Sequence, residues 1–139
     1  MKYLLDTCLI SELVRPKPDK LVIKWLKNCD EENLFLSVIT IGEIKKGITK
    51  LSDNDKKLNL ESWLNNDLRE RFKNRILNID DRVAVDWGNI QGEAEKKGNK
   101  LPAIDSLIAA TARVNKLTLV TRNINDFKYI MISIFNPWS

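Results

Sequence analysis

The sequence predicts a single α/β domain over residues 1–139, with a central, mostly parallel β-sheet flanked by α-helices. Three observations predict it: short apolar runs recur along the chain, stretches of helical periodicity separate them, and 139 residues suit one compact unit. Alternation of this kind makes strand–helix–strand units, whose parallel strands need crossover helices on the faces of the sheet.

Tyr3-Leu4-Leu5 is a short buried strand that stops at Asp6. Thr7 to Val14 reads as a short helix closed by Arg15-Pro16-Lys17-Pro18, because proline lacks an amide donor and disfavours helix at the residue before it. From Asp19 to Asn28, Leu21, Val22, Trp25 and Leu26 share one face of an amphipathic helix. A second strand covers Asn33 to Val38. Thr40 is the expected N-cap of a helix whose apolar face carries Ile41, Ile44, Ile48 and Leu51, with Glu43 off that face. Asp53 to Lys73 is highly charged, with Leu58, Leu60, Trp63, Leu64, Leu68 and Phe72 interspersed, and reads as one or two solvent-facing helices on the flank.

Ile76-Leu77-Asn78-Ile79 is another short strand. Val83, Trp87, Ile90 and Ala94 then recur at helical spacing up to a stop at Gly98. Pro102 suits the first turn of the next helix, which runs through Ile104, Leu107, Ile108 and Val114 and so carries Asp105 near its start. Leu117 to Thr121 is the clearest strand, and Ile132 to Phe135 forms the last.

With 43% hydrophobic and 30% charged residues the composition is that of a soluble globular chain. No apolar run reaches the roughly 18 residues of a membrane span. The N-terminus lacks the apolar region of a signal peptide, so a cytoplasmic protein with no membrane association is expected. Cys8 and Cys29 are too few for a disulfide framework or a thiolate metal cluster. Lys and Arg exceed Asp and Glu by 23 − 19 = 4, a mild pointer to a polyanionic partner. Histidine is absent, so catalysis must rest on carboxylates, Lys, Cys, Ser or Tyr.

Parallel sheets bind ligands beyond the carboxyl ends of their strands. Asp6 ends the first strand, Asn123 and Asp126 follow the strand ending at Thr121, and Asp105 and Glu43, each early in a helix, can face the same edge. Converging carboxylates repel one another unless a cation neutralises them. Hard oxygen ligands suit Mg²⁺ or Mn²⁺, which activate water and stabilise a leaving oxygen in phosphodiester hydrolysis. Arg15, Lys17, Lys45, Lys46 and Arg122 would offset the charge of an RNA backbone. Each acid also has a simpler reading: Asp6 as a helix cap, Glu43 as an exposed helix residue, Asp105 as a complement to the helix dipole, and Asp126 as a turn residue. Spacing alone does not separate these readings.

Four blocks resemble the motifs of PIN-domain toxins of the VapC and FitB type. They are Leu4-Leu5-Asp6-Thr7-Cys8-Leu9-Ile10-Ser11-Glu12-Leu13-Val14-Arg15-Pro16, Ser37 through Glu43 to Ile48, Pro102-Ala103-Ile104-Asp105 through Ala112, and Val120-Thr121-Arg122-Asn123-Ile124-Asn125-Asp126-Phe127. They span nearly the whole chain in the right order, and the ending Asn136-Pro137-Trp138 is shared with many members. The resemblance implies a PIN-like fold and a Mg²⁺- or Mn²⁺-dependent endoribonuclease, with transfer RNA a frequent target. It also implies inhibition by a cognate antitoxin of the VapB or FitA kind and pairing as a homodimer. It assigns Asp6 and Asp105 as principal metal ligands and Glu43 as the third acid. Relatives carry the fourth acid at the position of Asn123 or near Asp126, so either can complete the cluster here, Asn123 holding a ligand or substrate by its amide and Asp126 supplying the charge; Thr7, Arg15, Lys46 and Arg122 are candidate substrate contacts. The motif usually has Asn where this chain has Cys8, which puts one site-ordering hydrogen bond in question.

Two other readings compete. A phosphatase on a similar sheet would place a second acid two residues after its aspartate nucleophile, and Asp6-Thr7-Cys8 has none. A PIN-like RNA- or protein-binding module without turnover would have lost its affinity for Mn²⁺. Trp25, Trp63 and Trp87 are candidates for a dimer interface or, more simply, for the core.

Overall fold

The computed structural model describes residues 1–138. Strands β1 (Tyr3–Leu5), β2 (Leu34–Ser37), β3 (Ile76–Leu77), β4 (Thr118–Val120) and β5 (Ile134–Phe135) form one sheet in the order β3-β2-β1-β4-β5. Every pairing is parallel, with Leu4 opposite both Phe35 and Leu119 and Val120 opposite Phe135. The connections are helices α1 (Thr7–Leu13), α2 (Lys20–Lys27), α3 (Val38–Thr49), α4 (Asp55–Ser62), the single turn α5 (Arg69–Arg71), α6 (Asp81–Lys96) and α7 (Ala103–Val114). This is the expected α/β architecture.

Strand alternation distributes the core over both faces of the sheet. Leu5, Leu34, Leu36 and Val120 pack with Leu9, Ile10, Val22, Ile41 and Ile48 from α1, α2 and α3. Leu4 and Leu119 point the other way, onto Val83, Ile90, Ile108, Ala109 and Ala112 from α6 and α7. Each fully buried aliphatic side chain contributes about 1.5–3 kcal/mol of transfer free energy. The sequence turns from β1 outward in both directions, to β2 on one side and β4 on the other, so the point where strand order reverses lies between β1 and β4.

Several local expectations are corrected. Ser37, not Thr40, caps α3: its hydroxyl accepts the Ile39 amide at 3.1 Å, and Thr40 is buried inside the first turns. Residues 53–73 are more than a solvated flank. Leu64, Leu68 and Phe72 are at most 2% exposed and complete the core under α1 and α3. A π-helical stretch, Trp63–Leu68, widens the turn there and holds this row inward through a heavily charged segment. Pro102 stands at the N-cap of α7 rather than inside its first turn, and the last strand shortens to Ile134–Phe135. Trp25, Trp63 and Trp87 are half-buried and pack on the two cores. The stop at Gly98 holds: its φ of +76° is a left-handed conformation that glycine adopts without penalty. Among the described residues no helix is long and apolar enough to cross a membrane.

Candidate active site

The acidic edge forms at the carboxyl ends of β1 and β4, which Asp6 and the turn carrying Asp126 follow. Asp6 leaves β1 as the N-cap of α1 and is 7% exposed. One carboxylate oxygen, Oδ1, accepts the Thr7 amide at 2.8 Å, and the other, Oδ2, accepts the Thr121 hydroxyl at 2.7 Å. The capping and cleft readings of Asp6 are therefore both true of one side chain. Burial pushes its carboxyl above the ordinary range; the bonds from Thr121, Thr7 and Cys8 oppose this, and the charge of Asp126 adds to it. Cys8 stands where the motif favours Asn, and its Sγ lies 3.8 Å from Asp6 Oδ2 and 3.5 Å from the Thr121 hydroxyl. A weak sulfur donor thus takes up the place of the amide. Burial, with the negative charge of Asp6, pushes this thiol up, which keeps it protonated.

Glu43, in the second turn of α3, accepts the Thr7 hydroxyl at 2.6 Å, and the same hydroxyl lies 3.1 Å from that of Thr40. It is therefore tied to the cleft and not an idle surface residue. Asp105 occupies the first turn of α7, which is anchored by the buried Ser106. The Ser106 hydroxyl accepts Trp87 Nε1–H at 3.0 Å and Gln91 Nε2–H at 2.7 Å, fastening this turn to α6. The Asp105 carboxyl is pushed up to about 6, first by burial and then by the negative charges of Asp6, Asp126 and Glu43. The other three sequence-predicted acids thus all bear on Asp105 at one edge of the sheet.

Asp126 is exposed in the short 3₁₀ turn Ile124–Phe127, and its amide donates to the Asn123 carbonyl at 3.0 Å. Asn123 is held by its own amide, which donates to the Thr121 hydroxyl at 3.0 Å. Arg15 lies beside Thr7 and Glu43 along a 410 Å³ cleft between α1, α3 and α4. Arg122 rests its guanidinium 5.8 Å from the Trp138 ring. Lys46 is exposed on the last turn of α3, outside the lining of that cleft, whereas Lys56 lines it and was not anticipated. Thr121, Thr40, Glu12 and Trp138 were also missed. Nothing local marks them, because their partners lie 33 to 126 residues away in sequence for Thr40, Thr121 and the Glu12–Trp138 pair.

Divalent magnesium or manganese fits this donor set. The ligands on offer are carboxylate oxygens, and their mutual repulsion, expressed at Asp105, is what a cation relieves. Among the described residues no group of three or more acidic or thiol side chains stands close enough together to hold an ion. An ion here would keep several waters, as magnesium commonly does.

The model of the PIN domain family matches residues 3–130, which include all four acids. The chain belongs to the PIN domain family. This PIN domain is 38% identical to the toxin FitB of Neisseria gonorrhoeae over 97% of both chains. It is 28% identical to the VapC ribonuclease Y4jK of Sinorhizobium fredii over 96% of both. Its fold superposes on the crystal structure of FitAcB from Neisseria gonorrhoeae with a TM-score of 0.91 at 38% identity, covering 98% of each chain.

Proposed function

We propose that this chain is the toxin of a toxin–antitoxin pair, a divalent-metal-dependent endoribonuclease that hydrolyses RNA phosphodiester bonds. It is restrained by an antitoxin of the FitA or VapB kind. The observation that carries the reading is the placing of Asp6, Glu43 and Asp126 around Asp105 at the β1–β4 edge, where burial and then their charges hold Asp105 at about 6. Similarity over nearly the full length to a named toxin and a named ribonuclease supports it. The proposal covers residues 1–139 as one catalytic domain, working in the cytoplasm as a homodimer.

Asp6 and Asp105 would hold the magnesium or manganese ion, with Glu43 and Asp126 completing its acidic surroundings. Bound there, such an ion lowers the pKa of water and offsets charge on the phosphate. The chain's own residues prepare the site. The Thr7 amide and Thr121 hydroxyl each occupy one oxygen of Asp6, which fixes the plane of the carboxylate. The Thr7 hydroxyl orients Glu43. Asp105, held up to about 6 while the acids around it are unbalanced, would return to the ionised form that a metal ligand needs once a cation offsets their charge. Thr7, Arg15, Asn123 and Arg122 would receive the RNA, with Lys46 extending the basic rim.

Purified protein should cut RNA, transfer RNA being the first substrate to try, only with Mg²⁺ or Mn²⁺ present. Chelator or Asp105→Asn should abolish the cleavage. Cleavage that persists in either condition refutes the metal-dependent site. Absence of metal-dependent cleavage, with antitoxin verified absent, refutes the enzyme.

A further inference from the structure

Glu12 is a buried carboxylate that the cleavage chemistry does not use. It lies on α1, 5% exposed, and every hydrogen bond it accepts comes from a different part of the chain's architecture. Its Oε1 accepts Trp138 Nε1–H at 3.2 Å and lies 3.3 Å from Arg15 Nη1, while Oε2 accepts the Asp19 amide at 3.2 Å. These donors join the end of α1, the start of α2 and the tail that follows β5.

The tail is itself built to deliver an indole to this point. Val120 pairs with Phe135, and the Thr121 amide donates to the Phe135 carbonyl at 3.0 Å, so the tail runs beside the chain leaving β4. Asn136 Oδ1 accepts the Trp138 amide at 2.8 Å, a turn around Pro137 that aims the ring inward. Arg122 then lies 5.8 Å from the Trp138 ring, within cation–π range. It is flanked by Thr121, which is bonded to Asp6, and by Asn123, which is bonded to Thr121.

The two faces of α1 therefore divide the work. Thr7, Ser11 and Arg15, spaced by one helical turn, line the cleft with Glu43. Cys8 and Glu12, spaced likewise, touch Thr121 and Trp138. One carboxylate holds Arg15 directly on one side of the helix and Arg122 through an indole on the other.

We propose that Glu12 and Trp138 are positioning residues for RNA, fixing Arg15 and Arg122 as the two arms of a phosphate clamp around the acidic cleft. A guanidinium resting on an aromatic face, or paired with a buried carboxylate, loses less freedom on meeting a phosphate than one on a free stem. The proposal rests on RNA being the substrate.

The test uses the full chain and a labelled single-stranded RNA, titrated in chelator so that nothing is cut, at several potassium chloride concentrations. Arg122→Ala should weaken binding about tenfold and lower the salt slope by about 0.7, the value for one lost phosphate contact on a single strand. Trp138→Leu, with Arg122 intact, should reproduce most of both changes, and the double variant should be no weaker than Arg122→Ala alone. Trp138→Phe, which keeps a ring but cannot donate to Glu12, should fall between wild type and Trp138→Leu. A loss of fold alone lowers the active fraction and leaves the salt slope of the folded molecules unchanged. Wild-type affinity and slope in Trp138→Leu, or additive losses in the double variant, overturn the clamp while leaving the nuclease standing. A wild-type chain that neither binds nor cuts RNA overturns both.

Discussion

Replacing Asp105 by Asn should make the folded protein more stable while destroying its chemistry, and the gain should depend on pH. In the folded state the carboxyl sits at about 6 against an ordinary 3.8, a gap of about 2 pH units. At 1.36 kcal/mol per pH unit this sets a ceiling of about 3 kcal/mol. Asp105 keeps contact with solvent, which screens the repulsion and brings the expected figure to about 1–2 kcal/mol. The sign follows from proton counts. Between pH 3.8 and about 6 the native state holds the proton that the unfolded chain has released, so stability falls as pH rises through that window. Above it the full penalty is present. Asp105→Asn removes the penalty, so at pH 7.5 in chelator its melting temperature should exceed wild type by roughly 3–8 °C, and below pH 4 the two should coincide. Adding Mn²⁺ should raise the wild-type midpoint and leave the variant nearly unmoved, since a ligand stabilises only the state that binds it. Equal or lower stability of the variant at pH 7.5, or the same gain at both pH values, would refute the argument that burial and acidic repulsion together penalise the charged Asp105.

Two further outcomes test the neighbouring structure. Thr121→Val should cost about 1–3 kcal/mol by stranding Asp6 and the Asn123 amide, and should weaken Mn²⁺ binding measured by calorimetry, whereas Thr121→Ser should recover both. Phe72→Ala should destabilise by about 3–5 kcal/mol in urea titration if residues 64–72 are core, and by a few tenths if they were a solvated flank.

Most of the sheet could be read from the sequence because its strands are fully buried. Leu4-Leu5 and Leu119-Val120 are apolar on both faces, which is the signature of central parallel strands covered by helices. The acids at the ends of those strands, Asp6 and Asp126, followed from that assignment. Glu43 did not follow in the same way. Helical periodicity shows that it leaves the apolar stripe, but a polar face looks identical whether it meets solvent or a cleft. Leu64, Leu68 and Phe72 were obscured because charged residues dilute the stripe and a π-helical turn spoils the 3.6 spacing on which the pattern depends. The cap of α3 was misplaced for a simpler reason: Ser37 and Thr40 are both good caps, and only the end of β2 decides between them. Glu12 had the appearance of an ordinary surface glutamate, because its partner Trp138 arrives from the far end of the chain through the pairing of β5.

The four acids come from β1, α3, α7 and the turn after β4, so they are spread from residue 6 to residue 126. No fragment lacking β4 contains both the Thr121 bond to Asp6 and the charge of Asp126. A chain that stops short of β4 therefore lacks both contacts. Strand β4 must dock beside β1 to complete the edge, and such long-range parallel pairing is slow to form in folding. The acidic edge is thus among the last parts of the fold to be completed.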